Sequence, residues 1–134
     1  MTTPFWCLVI AVLIPYVLAF TAAYFKSKQF GTVDNNQPRV QGAALTGAGA
    51  RVWAAQQNAW EALAVFTAAV LIAHFAGADP HRSAIAAVVF VAARIAHAIC
   101  YAADLAPLRS LSFMVGFGSC LWLFWLAASV PTTA

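Results

Sequence analysis

Hydrophobic residues along the chain are gathered into four long runs, which are separated by three polar connections. The runs cover residues 4–25, 51–76, 83–103 and 110–130. About 20 apolar residues, each rising 1.5 Å along a helix, are needed to cross the roughly 30 Å hydrocarbon layer of a bilayer. Each run reaches that length, so the pattern predicts four transmembrane helices. We expect a single all-α integral membrane domain, a bundle of four spanning helices, over residues 1–134.

The three connections differ in length and in chemistry. The first, residues 26–50, is long and polar and contains several asparagine, proline and glycine residues that favour turns. The second is the turn GADPHR, after which Ser83 is expected to cap the third helix. The third is the short link DLAPLR. Short links between long apolar runs predict neighbouring helices that run in opposite directions.

Positive charge is concentrated in the first and third connections. Lys26, Lys28, Arg39 and Arg109 belong to these two, whereas the second connection contributes only Arg82. Loops that are rich in lysine and arginine stay in the cytoplasm. The distribution therefore predicts that loops one and three are cytoplasmic and that both termini lie outside.

Composition agrees with a membrane protein and excludes several other classes. The chain is 63% hydrophobic and 8% charged, whereas soluble domains carry about 25% charged residues. The net charge of +3 shows no basic cluster, so no nucleic-acid partner is expected. Cys7, Cys100 and Cys120 have no paired spacing, which argues against a disulfide framework and against a metal site.

Polar side chains inside the second and third runs fall on one face of each predicted helix. At 100° per residue, the polar positions span about 80° on the second helix and about 60° on the third. Placing a charged side chain deep in a transmembrane span costs at least about 2.5–3.5 kcal/mol, so such a residue is expected to have a binding partner or a function. The two polar stripes comprise Arg51, Asn58 and Glu61 on the second helix and Arg94, His97 and Tyr101 on the third.

The depths of these residues predict a polar cleft that opens to the cytoplasm. Counting from the cytoplasmic helix ends at about 1.5 Å per residue places Glu61 level with Arg94, and Asn58 level with His97. Arg109 would lie over the mouth of the cleft. One interpretation is a buried Glu61–Arg94 salt bridge that only fixes helix packing. The excess of arginine over carboxylate around the same opening favours an anionic polar ligand instead.

The ordered motifs resemble those of the MAPEG family, the membrane-associated proteins in eicosanoid and glutathione metabolism. The motifs are R-x6-N-x-x-E over residues 51–61, R-x-x-H-x-x-x-Y over residues 94–101, and the pair RS at residues 109–110. The stretch AQQNAWEALAVF is most similar to the bacterial members of that family. The resemblance implies a homotrimer in a bacterial inner membrane. It also implies three cytoplasm-facing sites between neighbouring subunits, each of which binds glutathione.

The resemblance also implies roles for individual residues. Arg109 would be the catalytic residue near the thiol of glutathione, and Lys26 stands where the family often has an arginine at the end of the first helix. The other glutathione contacts would come from Arg51, Asn58, Glu61, Arg94, His97 and Tyr101.

Two positions depart from the family pattern. Ala54 occupies the place, four residues before the asparagine, where glutathione-using members commonly carry another arginine. A charge-assisted hydrogen bond is worth about 1.5–3 kcal/mol, so glutathione would bind tens of times more weakly, or another ligand would occupy the cleft. Phe113 stands where some relatives have a hydroxyl-bearing aromatic residue, which leaves the electrophile unassigned.

Two functions follow as hypotheses. The first is a glutathione-dependent transferase or peroxidase that acts, without a metal, on lipophilic electrophiles delivered from the membrane lipids. The second is a non-catalytic binding or structural membrane protein for a lipid or another anionic ligand, which Ala54 favours. A small transporter is disfavoured, because the sequence shows neither the internal repeats nor the broken helices that translocation commonly uses.

Overall fold

The protein is all-helical over residues 1–131, the part of the chain that the computed structural model describes. Four of the helices in this part are long and apolar enough to cross a membrane, which confirms the four predicted spans. The short α2 lies between the first two of them. The helices are α1 (Thr3–Phe30), α2 (Pro38–Ala43), α3 (Gly47–Phe75), α4 (Pro80–Ala102) and α5 (Ala106–Ala128).

The spanning helices extend beyond the hydrophobic runs that predicted them. α1 continues to Phe30, and α3 and α5 begin at Gly47 and Ala106, each before the start of its run. Hydropathy marks the limits of the hydrocarbon layer, whereas a helix continues until its backbone is capped. α1 ends at Gly31, which adopts a left-handed φ of 79° and donates its N–H to the Ser27 carbonyl at 2.9 Å.

The prediction that Ser83 caps the third spanning helix is wrong. α4 begins at Pro80, and the Asp79 Oδ1 accepts the backbone N–H of Arg82 at 2.7 Å. Proline suits the first turn of a helix because its φ is already helical and its missing N–H needs no partner. The helix therefore starts before Ser83 and leaves that side chain buried within its first turns.

The four spans pack as an up-and-down bundle. α4 packs mainly against α5, and α1 mainly against α3. The rings of Phe66 and Phe90 stack at the centre of the core, with 3.8 Å between their centroids, and Leu123 is fully buried in the same cluster. We call the end with Thr3 and Phe75 the N-terminal end, and the opposite end, which holds the first and third connections, the loop end.

The long first connection is ordered against the loop end of α1 and α3. The Gln29 side chain accepts the backbone N–H of Thr46 at 3.0 Å and donates to the Ala44 carbonyl at 3.2 Å. A Cβ added at Gly42 would lie 2.7 Å from the Trp53 ring. Glycine at this position therefore lets α2 lie directly on α3, in contact with the Trp53 ring.

Candidate functional site

The most buried cation of the bundle is Arg94, in the membrane-spanning part of α4. Its side chain is only 4% exposed, and its Nη2 donates to the Asn58 Oδ1 on α3 at 2.6 Å. An arginine has five N–H donors, and within residues 1–131 Asn58 is its one hydrogen-bond partner. No carboxylate in that range lies within 4.0 Å of the guanidinium. The positive charge is thus held by a neutral amide.

A cavity of about 170 Å³ lies beside this pair, between α3, α4 and α5. Asn58, Glu61 and Arg94 form its polar wall. Its other lining residues are apolar or weakly polar and comprise Ala62, Val65, Phe90, Phe113, Phe117 and Cys120. We call this space the Arg94 cavity. A cation and two oxygen-bearing side chains next to an aromatic wall can bind a molecule that is anionic at one end and apolar at the other.

Gly116 on α5 makes room for the arginine. A Cβ at this position would lie 3.4 Å from the Arg94 Cδ and 3.7 Å from the Ala93 Cβ. Small residues at a helix interface allow close approach of the helices. The glycine therefore lets the aliphatic stem of Arg94 pass between α4 and α5.

Three residues of the two stripes, Asn58, Glu61 and Arg94, line one cavity. The salt bridge that one interpretation placed between Glu61 and Arg94 is not formed within residues 1–131, where Arg94 bonds to Asn58. α3 begins at Gly47 and α4 ends at Ala102, so the helix ends differ from the ends of the hydrophobic runs from which the depths were counted. An arginine side chain also reaches several ångströms along the membrane normal, so the depth of its Cα does not fix its partner.

His97 and Tyr101 on α4 hold Arg109 at the start of α5. The His97 Nδ1 lies 3.0 Å from the Arg109 carbonyl oxygen, and because a carbonyl only accepts, Nδ1 carries the proton. The Arg109 guanidinium carbon lies 4.7 Å from the centroid of the Tyr101 ring, in cation–π geometry. Both the backbone and the side chain of Arg109 are therefore positioned by α4.

The other ring nitrogen of His97 is a free acceptor. The side chain is 3% exposed, and its Nε2 is buried without a hydrogen-bond partner among residues 1–131. The ring lies 6.3 Å from that of Phe113, which lines the Arg94 cavity. Since Nδ1 holds the proton, Nε2 can accept a hydrogen bond from a ligand or from another subunit.

Arg51 is directed to the end of α4. Its Nε donates to the Ala102 carbonyl at 3.3 Å, and its Nη1 lies 3.7 Å from the Asp104 Oδ2. Sequence reasoning missed Asp104, because this carboxylate lies in the link after α4 and not on a helical stripe. The pair is solvent-accessible and so contributes little stability. Arg94 is the cation that lines the same cavity as Glu61.

Lys26 lies in a different polar pocket. Its Nζ donates to the Pro38 carbonyl at 2.6 Å and lies 4.9 Å from the centroid of the Trp53 ring. At 100° per residue, Gln56 and Trp60 lie about 160° around α3 from Asn58. A single chain therefore does not bring Lys26 to the Arg94 cavity. The pocket, which we call the Lys26 pocket, measures about 610 Å³ and is lined by Ala19, Lys26, Pro38, Arg39, Trp53, Gln56, Gln57 and Trp60.

The Lys26 pocket also contains an unsatisfied acceptor. The Oε1 of Gln56 is buried and has no hydrogen-bond partner in residues 1–131. The sequence pattern did not identify Gln56 as a site residue, because it lies outside the polar stripe of Asn58 and Glu61. Its position next to Lys26, on the opposite face of α3, becomes visible only when α1 and α2 are packed against that helix.

The comparison with family models gave a match over almost the whole chain. The model described as the MAPEG family matches residues 3–129. A comparison with curated proteins gave no match. The matched range includes all four spans and every residue of the Arg94 cavity and the Lys26 pocket.

Proposed function

The chain belongs to the MAPEG family, and from this premise we propose that it is a glutathione-dependent transferase or peroxidase of the membrane. The observation that carries the proposal is Arg94, which is 4% exposed, lines a cavity and within residues 1–131 has the neutral Asn58 amide as its one hydrogen-bond partner. An unpaired charge within a span is costly. A carboxylate of bound glutathione supplies the missing countercharge.

The polar wall of the Arg94 cavity holds the tripeptide. Guanidinium groups commonly bind carboxylates. Arg94 binds a carboxylate of glutathione through the N–H donors that are not used by Asn58. Glu61 accepts a hydrogen bond from the amino group of glutathione. The free Nε2 of His97 accepts an N–H, and Arg51 and Tyr101 contribute further contacts toward the loop end.

A neighbouring subunit completes the site in a homotrimer. The Arg94 cavity of one chain measures about 170 Å³, whereas ligand pockets typically measure about 300–1,000 Å³. The Lys26 pocket offers the missing polar groups: the ammonium of Lys26, the guanidinium of Arg39 and the Oε1 of Gln56, which has no hydrogen-bond partner within the described residues 1–131. We propose that glutathione lies between the Arg94 cavity of one subunit and the Lys26 pocket of the next.

Arg109 stabilises the thiolate of bound glutathione. An ordinary cysteine thiol has a pKa of about 8.5, and each unit by which a nearby cation lowers this pKa corresponds to 1.36 kcal/mol. His97 is a positioning residue, because its Nδ1–H holds the Arg109 carbonyl. The thiolate attacks an electrophilic carbon, a carbon–sulfur bond forms, and the leaving group departs with its electron pair. Catalysis thus comes from positioning and from stabilisation of the anion.

The electrophile reaches the thiolate from the bilayer. Phe113 and Phe117 line the Arg94 cavity and are 39% and 43% exposed, so their stacked rings form an apolar path between the cavity and the surroundings of the bundle. The loop end faces the cytoplasm in this proposal, since it carries Lys26, Lys28 and Arg39. Both termini then lie outside a bacterial inner membrane.

Arg109→Ala is expected to remove most of the thiolate. With millimolar glutathione at neutral pH, the wild-type protein should show the ultraviolet absorbance of a thiolate, and the variant about a tenth of it, which corresponds to one pKa unit. Arg82→Ala, at the N-terminal end, is the matched control and should retain the signal. Absence of the signal in the wild type, or its survival in Arg109→Ala, would refute the proposed role.

A non-catalytic binding protein with the same fold is the second candidate, and Ala54 favours it. Ala54 lies one helical turn before Asn58, on the same face of α3, and carries no charge for a second carboxylate. Such a protein would bind a lipid head group or another anion in the cleft. It would form no conjugate between glutathione and a standard aryl halide.

Ala54→Arg is expected to tighten glutathione binding by about tenfold to a hundredfold, because one charge-assisted hydrogen bond is worth about 1.5–3 kcal/mol. Calorimetric titration of both proteins in nanodiscs measures the change. Ala43→Arg makes the same substitution at an exposed position of α2 that lines neither the Arg94 cavity nor the Lys26 pocket, so this control should gain little. An unchanged dissociation constant in Ala54→Arg would show that the cleft is not shaped for glutathione.

A further inference from the structure

A second cavity opens at the N-terminal end of the bundle, opposite the loop end. It measures about 510 Å³, within the range of about 300–1,000 Å³ that is typical of ligand pockets. Every spanning helix contributes to its lining: Phe5 from α1, Val70 and His74 from α3, Ser83 from α4 and Leu123 from α5. The proposed glutathione site uses none of these residues. We call this space the Ser83 cavity.

Ser83 supplies an unpartnered hydroxyl in this cavity. Its side chain is 7% exposed, and its Oγ has no hydrogen-bond partner among residues 1–131. Helical hydroxyls usually donate to the carbonyl four residues earlier. The side chains of Thr21, Thr67, Ser112, Ser119 and Ser129 do so at 2.7–2.9 Å.

Ser83 is therefore the hydroxyl-bearing residue of residues 1–131 whose side-chain oxygen is both buried and without a hydrogen-bond partner. An unsatisfied buried hydroxyl costs about 1–3 kcal/mol by mutational estimates. A ligand that hydrogen-bonds to Ser83 would recover that free energy, so the hydroxyl is a ready anchor for a guest in the cavity.

The remaining lining selects against ions. No lysine, arginine, aspartate or glutamate of residues 1–131 lines the cavity, and its walls are mostly apolar. The exposed His74 ring packs edge-on against Phe5, with 4.9 Å between the ring centroids. Asp79 and Arg82 are close in sequence, but the Asp79 carboxylate is engaged with the backbone N–H of Arg82. The guest must therefore be neutral and largely apolar.

We propose that the Ser83 cavity binds a neutral lipophile of the membrane, which has an apolar body and one hydroxyl or carbonyl oxygen. The oxygen hydrogen-bonds to the Ser83 Oγ, and the body packs against Phe5, Val70 and Leu123. The imidazole of His74 offers a second polar contact. This site lies at the end of the bundle opposite the glutathione cleft and binds its ligand independently of glutathione.

Photolabelling of the full-length protein in nanodiscs tests the proposal. Two diazirine probes are compared, a ten-carbon primary alcohol and an alkane of the same length, and labelled peptides are identified by mass spectrometry. In the wild type, the alcohol should label cavity-lining peptides about three- to tenfold more than the alkane. Ser83→Ala should abolish this difference. Ser119→Ala removes a buried hydroxyl that already has a partner, and should retain it.

A cavity-filling variant separates binding from surface labelling. Ala84 lines the cavity and is half-buried, so Ala84→Leu should reduce labelling of these peptides by both probes at least threefold. Equal labelling by the two probes in the wild type would overturn the proposal, as would an alcohol preference that survives Ser83→Ala. Labelling no stronger than that of the lipid-facing surface would show that the cavity holds only water, which also overturns it.

Discussion

Asn58→Leu is expected to lower the free energy of unfolding by about 3 kcal/mol, because it leaves the Arg94 charge buried without its partner. Leucine is close to asparagine in size, so packing at the site changes little. Arg94 is 4% exposed, and Asn58 is its one hydrogen-bond partner in the described residues. Reversible unfolding in mixed micelles, followed by helical circular dichroism, measures the loss.

The double variant Asn58→Leu/Arg94→Met distinguishes the free energy lost with the hydrogen bond from the cost of burying the unpartnered charge. Methionine removes the cation and keeps an unbranched side chain beside Gly116, so the double variant should recover most of the stability lost in Asn58→Leu. Asn36→Leu makes the same substitution at an exposed position of the first connection that lines neither the Arg94 cavity nor the Lys26 pocket. This single-site control should change stability by no more than about 0.5 kcal/mol. A loss in Asn58→Leu as small as in the control would mean that the charge has another partner.

Much of the fold follows from hydropathy alone, for a simple physical reason. A bilayer demands long apolar segments whose backbone polar groups bond internally, so each hydrophobic run can only be a helix. Helix ends obey different forces. The start of α4 depends on one side chain, Asp79, and the end of α1 on one left-handed φ angle, at Gly31. A mean hydropathy over many residues does not detect either of them.

The sequence predicted a shared face for part of the candidate site but not the contacts that its residues make. Helical periodicity placed Asn58 and Glu61 on one face of α3, and they do line one cavity with Arg94. The Asn58–Arg94 bond was not predictable, because helix stagger and the reach of a long side chain decide it. Sequence periodicity also could not show that Asp104, outside the helices, would pair with Arg51.

Lys26 illustrates a further limit of periodicity. The resemblance assigned this residue to the glutathione site, but within one chain it lies with Trp53 and Pro38 on the far face of α3. Positions on one chain cannot reveal which of its faces meet in an oligomer. The proposed trimer would bring the Lys26 pocket of one subunit to the Arg94 cavity of the next, and the role of Lys26 depends on that assembly.

Arg94→Met is expected to weaken glutathione binding at least about a hundredfold, which corresponds to about 2.7 kcal/mol and thus to one or two charge-assisted hydrogen bonds. The cation faces a low-dielectric cavity, where its attraction for a carboxylate is strong. Removing it also leaves Glu61 as the charged group of that wall, and its negative charge repels an anionic guest. Asn58→Leu/Arg94→Met, which is expected to retain the fold, distinguishes lost binding from lost folding.

Calorimetric titration of glutathione into the protein in nanodiscs, with wild type, Arg94→Met and the double variant side by side, tests the central claim most directly. We predict saturable binding to the wild type and, in both folded variants, binding at least about a hundredfold weaker. Equal affinity in all three proteins, or no heat of binding in the wild type at millimolar glutathione, would contradict the assignment of the Arg94 cavity as a glutathione site.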